Sequence, residues 1–292
     1  MSRRRVRLAL AALVMTAAGT FVLLEVGHGE APSDTAVPGT CSDDEAEARE
    51  PDTDRLVWHD EFDGSTVDRS RWTVRDGTSL SFDQARIEDD NVWVEGGLLH
   101  IEARRERLHG RDYTTGYLDT IGHFSQRYGR WEVRAKVPTV PGRSQGLWPA
   151  FWLRADDHPG EIDVMEAWGD PTSRGDDLTS SYAWTVHEDT TKQVSPERLH
   201  GWGRADEPLS DDFHVFAVDW TPHCLTFTLD GRVTGALEVS DTDWLTTALA
   251  SPVNIRLNLQ VGSRYWGLVD PGTTQLPAVL LVDHVRVYAP NP

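Results

Sequence analysis

Gly160-Glu161-Ile162-Asp163-Val164-Met165-Glu166-Ala167-Trp168-Gly169-Asp170 sets three carboxylates, Glu161, Asp163 and Glu166, in one short apolar run, just after the aromatic cluster Trp148-Pro149-Ala150-Phe151-Trp152. Taken alone, Glu-x-Asp-x-x-Glu is most often a solvated strand face. Here Ile162, Val164 and Met165 favour a half-buried strand, so the acids occupy a face that must be polar for a reason. In a regular strand Glu161 and Asp163 share one face and Glu166 points to the other. One inserted residue brings Glu166 back. A β-bulge at Val164-Met165 would supply it, and bulges concentrate beside active sites because they re-aim a side chain. The bland alternative is that Glu166 opens a turn and faces solvent.

Working outward, short strands with turns fill the rest. Leu98 to Ala103, Gly129 to Val137, Phe213 to Trp220, Leu225 to Leu229, Val253 to Val261 and Val279 to Tyr288 are apolar-rich and β-branched or aromatic. Asp230-Gly231 between Leu229 and Val233 is a hairpin signal. No helical pattern is comparably strong, and no internal repeat is evident. Such spacing predicts an all-β fold, a two-sheet antiparallel sandwich.

Two carboxylates on one face suit hydrolysis of a glycosidic bond. One, ionised, attacks or stabilises the oxocarbenium-like centre while the other, protonated, donates to the leaving oxygen. A third acid between them, Asp163, would hold the nucleophile's hydrogen bonding and raise its neighbour's pKa by like-charge repulsion.

Together with Leu147 to Leu153 and Tyr128-Gly129-Arg130-Trp131-Glu132-Val133-Arg134-Ala135-Lys136, the Glu161 to Glu166 run resembles glycoside hydrolase family 16. Trp58 to Asp63, Phe213 to Trp220 and Val282 to Tyr288 agree, so the resemblance covers roughly residues 56 to 289. It implies the jelly-roll form of the sandwich, with substrate across one concave sheet. Glu161 is then the nucleophile, Asp163 its helper and Glu166 the general acid and base. The x-x spacing matches the bulged branch of laminarinases, agarases and carrageenases; lichenases and xyloglucan transferases, one residue shorter, fit less well. An endo-acting glycosidase on β-1,3-glucan is the leading expectation. An agarase-like or other β-glycan hydrolase, a transglycosylase and a non-catalytic glucan-binding protein remain open, although both glutamates speak against the last.

Among twelve tryptophans, most are assigned to packing. Trp148 and Trp152 are candidates for stacking on pyranose rings, with Trp168 and Trp184 behind them. By resemblance His187 is a cleft histidine, and Asn91 and Arg130 are polar cleft positions; a turn cap or an ion pair would serve those two equally well. The resemblance also implies one structural calcium held by Glu61, a Gly97 carbonyl and Asp283, hard oxygen ligands remote from the chemistry. The bland reading pairs Glu61 with an arginine and makes Asp283 a strand cap. Catalysis itself calls for no cofactor.

A net charge of −19 argues against nucleic acid and anionic membranes, whereas a neutral polysaccharide meets no such repulsion. Near the catalytic run, Arg154 and Arg174 stand against Asp156, Asp157, Asp170, Asp176 and Asp177, which also favours a neutral sugar. Arg3, Arg4, Arg5 and Arg7 before the apolar Leu8 to Leu24 form a secretory leader (1–27) or an uncleaved membrane anchor. A disordered acidic linker (28–55) follows, too polar to offset its ordering entropy. The catalytic domain is 56–292, enough for one all-β core. It is expected outside the cell, as a monomer. Cys41 in the linker and Cys224 in a strand are able to pair in an oxidising compartment, but Cys224 reads better as a small buried side chain.

Overall fold

The structure, a computed structural model, describes residues 41, 55–80, 82–169, 178–190, 197–263 and 267–290. The expected leader (1–27) and linker (28–55) lie outside these residues, apart from Cys41 and Arg55.

Among the described residues there are seventeen strands: β1 (Leu56–Asp60), β2 (Thr73–Val74), β3 (Ala85–Ile87), β4 (Val92–Glu95), β5 (Leu98–Ala103), β6 (Tyr113–Thr115), β7 (Tyr117–Asp119), β8 (Gly129–Lys136), β9 (Leu147–Arg154), β10 (Glu161–Glu166), β11 (Ser181–His187), β12 (Arg198–Arg204), β13 (His214–Trp220), β14 (Cys224–Leu229), β15 (Arg232–Glu238), β16 (Asn254–Val261) and β17 (Ala278–Tyr288). One sheet runs β15-β14-β13-β8-β17-β5-β4, with β1 also on β17; the other runs β12-β11-β10-β9-β16-β7-β2. Pairing is antiparallel throughout both, and β3 and β6 form a small parallel pair. The expected all-β two-sheet sandwich is what forms.

Alternation builds the core. On β8, Trp131, Val133 and Ala135 are fully buried between the sheets while Arg130, Glu132 and Arg134 take the outer face. On β16, Ile255, Leu257 and Leu259 point inward and Arg256, Asn258 and Gln260 outward. The same phase on β9 sends Leu147, Phe151 and Leu153 into the core and Trp148, Trp152 and Arg154 to the outer face. That cluster is thus a central strand, although Pro149, which lacks an N–H for the ladder, obscures it in the sequence. At the β14–β15 hairpin, Asp230 (φ 49°) and Gly231 (φ 75°) both take positive φ, the two-residue turn whose twist matches the strands.

Cys41 and Cys224 are disulfide-bonded, with Cα atoms 5.9 Å apart. The sequence reading of Cys224 as a plain core residue is corrected accordingly. Both cysteines are buried, with Ala236 packed beside them, so the bridge fastens Cys41 to the start of β14.

Candidate active site

The bulge on β10 makes the site. Against β9, Asp163 lies opposite Trp152 and Met165 opposite Phe151, so Val164 is the extra residue. Against β11, Asp163 pairs with Thr185 and Glu166 with Ala183, three residues of β10 spanning two of β11. Val164 and Met165 therefore both enter the core, and Glu166 returns to the face that carries Glu161 and Asp163. All three carboxylates line a cleft of about 540 Å³, the size of a small-ligand site.

Each acid has defined partners. The Trp148 indole donates Nε1–H to Glu166 Oε1 at 2.9 Å. His187, opposite Glu161 on β11, places Nε2 3.1 Å from Asp163 Oδ2. A nitrogen of the Arg154 guanidinium, from β9 on the other side of Glu161, lies 3.7 Å from Glu161 Oε2. Burial pushes Glu161 up to about 8, with Asp163 adding to the shift while His187, Arg154 and Arg256 oppose it. Asp163 is likewise pushed to about 8 by burial, against Arg154. Glu166 is driven well above the carboxylate range by burial and by Asp163, and the Trp148 N–H pulls the other way. Burial holds His187 below its ordinary value, so the ring is neutral near pH 7. Its Nδ1 has no partner among the described residues. Nε2–H donating to Asp163 is then the tautomer that leaves no buried donor unsatisfied.

This arrangement supports divided labour. Burial and the Asp163 charge bias Glu166 toward its protonated form, which suits it to act as an acid. Glu161 has two arginines nearby that favour its anionic form. Asp163 sits between them, steadied by His187.

Trp148 and Trp152 reach the cleft as the sequence reading has it. Trp152 donates Nε1–H to Asn258 Oδ1 at 2.7 Å, and the Arg256 guanidinium lies 4.8 Å from its ring centroid. His187 stands at the site beside Asp163, whereas Trp168, Trp184, Asn91 and Arg130 are corrected. Trp184 is 1 % exposed, stacked on Phe227 at 4.5 Å between the sheets. A Cβ at Gly201 or Gly235 would come within 2.2 Å of its ring, so those glycines exist to admit it. Trp168 is buried against Trp202 and offers no stacking face. Asn91 is buried at the end of the short 3-10 turn before β4, donating to the Glu102 carbonyl and the Thr114 hydroxyl. Arg130 lies on the opposite sheet, paired with Glu132 at 3.0 Å and Asp219 at 2.7 Å. The ion-pair reading of Arg130 is the one that holds.

The expected calcium ligands are otherwise engaged. Both Glu61 oxygens accept from the Arg286 guanidinium, at 2.9 and 2.7 Å. Asp283 pairs with Arg134 at 3.2 Å and His284 at 2.9 Å. Gly97 is in the β4–β5 turn, at φ 77°. An ion would have to displace two guanidinium groups, so the residues as placed do not fit calcium and no step is routed through it.

Several cleft residues escaped the sequence reading: Tyr117 from β7, Phe82 beside Trp148, Gln260, Arg75 and Arg256. For Arg256 and Gln260 the signal was available, as polar residues at alternate positions of a strongly apolar strand.

Comparison with known proteins places this geometry. The glycosyl hydrolases family 16 profile matches residues 66–275. The chain is 33% identical over 255 residues to a beta-glucanase of Rhodothermus marinus, covering 80% of this chain and 84% of that one. It is 30% identical over 269 residues to the glucan endo-1,3-beta-glucosidase A1 of Niallia circulans, covering 80% of this chain but only 37% of that longer protein. It superposes on the laminarinase catalytic domain of Thermotoga maritima MSB8 with a TM-score of 0.68 at 28% identity, over 81% of this chain and 98% of that one. The chain belongs to glycosyl hydrolase family 16.

Proposed function

We propose that the protein cleaves β-1,3-glucan internally, by double displacement with retention of anomeric configuration. The observation that carries this reading is the bulge that returns Glu166 to the face of Glu161 and Asp163. Glu161 attacks the anomeric carbon while Glu166 protonates the leaving oxygen, which gives a covalent glycosyl-enzyme. Glu166, now ionised, takes a proton from water as that water displaces Glu161. Asp163, hydrogen-bonded by His187, fixes the nucleophile's surroundings and through its charge favours a protonated Glu166. The glucan itself is suggested by the relatives, whose names specify β-glucanase and endo-1,3-β-glucosidase activity.

The domain acts outside the cell on this reading. The basic and apolar start of the chain supports export, and so does a disulfide, since such bonds persist in oxidising compartments.

Incubating the protein with laminarin, mixed-linkage glucan, agarose and carrageenan and sizing the products tests the substrate. Laminarin is expected to yield oligosaccharides of mixed length. Activity on agarose or carrageenan with none on laminarin would overturn the glucan reading.

A further inference from the structure

In a protein of net charge −19, the cleft is unexpectedly rich in guanidinium groups. Arg75, Arg154 and Arg256 line it, and among the described residues the only acids that line it are Glu161, Asp163 and Glu166. Asp156 and Asp157, which follow Arg154 closely in the sequence, are not among the residues lining the cleft, and Asp170, Asp176 and Asp177 lie outside the described residues, so charge along the chain is a poor guide to charge in the cleft. The catalytic acids do not offset the arginines in full, because burial and mutual repulsion keep them from ionising together.

The three arginines differ in how far they are already used. Arg75 donates Nε–H to Asp119, a fully buried acid, at 2.5 Å, and serves as its counter-ion. Arg256 donates Nε–H to Asn254 Oδ1 at 3.1 Å and lies over the Trp152 indole, and its terminal nitrogen is 3.7 Å from the half-exposed Asp156. Arg154 donates no hydrogen bond among the described residues. Among the described residues its one ionic contact is the 3.7 Å approach to Glu161, and its side chain is 26% exposed. Register sets Arg154 opposite Asn254 and Arg256 opposite Trp152 on adjacent strands. They are diagonal neighbours on one face, a separation that two long side chains bridge easily. A planar fork of unused donors beside a second guanidinium fits a planar or tetrahedral oxyanion better than it fits a hydroxyl, which needs a single donor.

We propose that Arg154 and Arg256 form an anion subsite beside the nucleophile, which holds a carboxylate or sulfate carried by the glycan next to the bond that is cut. The inference rests on the β-glucan reading and narrows it: the favoured chain is a β-1,3-glucan backbone with acidic substituents. Arg154 has a second consequence in the same place, because a bound anion draws its charge partly away from Glu161. An acidic substituent is thus bound tightly yet must sit so that Arg154 still faces the nucleophile.

Isothermal titration of the Glu166→Gln protein, which binds without turnover, tests this directly. The ligands are a neutral laminarin oligosaccharide, the same oligosaccharide carboxylated at C6 and a sulfated one. At low salt, at least one acidic oligosaccharide is expected to bind about tenfold or more tightly than the neutral one, the scale of one charge-assisted hydrogen bond. That advantage shrinks at high salt. Adding Arg154→Gln or Arg256→Gln, each checked for an unchanged melting temperature, removes the advantage, and Arg154→Lys restores part of it. The better of the two acidic ligands distinguishes carboxylate from sulfate. Equal affinity for neutral and acidic oligosaccharides, or an advantage that survives both substitutions, would overturn the subsite alone. Absence of binding by all three would overturn the glucan reading, and the subsite with it.

Discussion

Nε1 of Trp148 lies 2.9 Å from Oε1 of Glu166 and donates its N–H to it, so a residue that appears in the sequence as a sugar platform also holds the expected general acid in place. Hydrogen bonding to a carboxylate favours its ionised form. Trp148→Phe keeps the aromatic face and removes the donor. Glu166 then holds its proton to higher pH, and the alkaline limb of the kcat/KM profile moves upward. Turnover falls by about tenfold, the scale of a lost charge-assisted hydrogen bond. An unchanged alkaline limb would show that the contact is not made in solution.

Substituting the nucleophile separates activity from stability. Burial and Asp163 raise folded Glu161 to about 8, above the ordinary 4.5. Between those values the folded state binds more protons than the unfolded one, so this group's contribution to stability declines as pH rises through the window. Glu161→Gln cannot titrate and escapes that decline. The variant is expected to lose at least about a thousandfold in activity. Its melting temperature should match the parent near pH 4 and exceed it near pH 8, by up to a few kcal/mol of stability. Parallel melting curves at both pH values would contradict the burial of a carboxylate there.

Trp184 and Trp152 make a contrasting pair. Trp184→Ala empties a site between the sheets, which costs roughly 3–5 kcal/mol, and is expected to lower the melting temperature by about 6–20 °C while leaving KM for laminarin nearly unchanged well below that temperature. Trp152→Ala instead raises KM more than it lowers kcat, provided stacking is equal in the ground and transition states. Steady-state kinetics beside calorimetric melting read both effects.

The disulfide ties Cys41 to Cys224 across 183 residues. Cys41→Ser with Cys224→Ser removes a constraint on the unfolded chain worth roughly 2–5 kcal/mol. Thermal unfolding should begin at lower temperature with kcat unaltered, because the bridge is on β14 of the sheet opposite the cleft.

Much of this was legible in the sequence. Strict alternation on β8 and β16 reads directly as strands, and the parity conflict between Glu161 and Glu166 foretells the bulge, because only an inserted residue reconciles polar acids with a buried Val164-Met165 pair. Partners across the sheets were not legible. Nothing local to Trp184 says that Gly201 and Gly235 clear a space for it in the core. Arg130 and Glu61 have the composition of binding residues, yet each is neutralised by a partner far along the chain, Asp219 and Arg286. What brings Arg154 and Arg256 together was hidden similarly, since they come from strands about a hundred residues apart, and Asp156 and Asp157 close to Arg154 in the sequence point to an acidic surrounding.

Proton NMR of laminarin during hydrolysis tests the central claim most directly, because the anomeric signals report both the cut and its stereochemistry. The β-anomer of the new reducing ends is expected to appear first, with the α signal growing only as mutarotation proceeds, and the Glu161→Gln protein should produce neither signal. First release of the α-anomer, or new reducing ends formed at the parental rate by that variant, would contradict the assignment of Glu161 as nucleophile and Glu166 as acid.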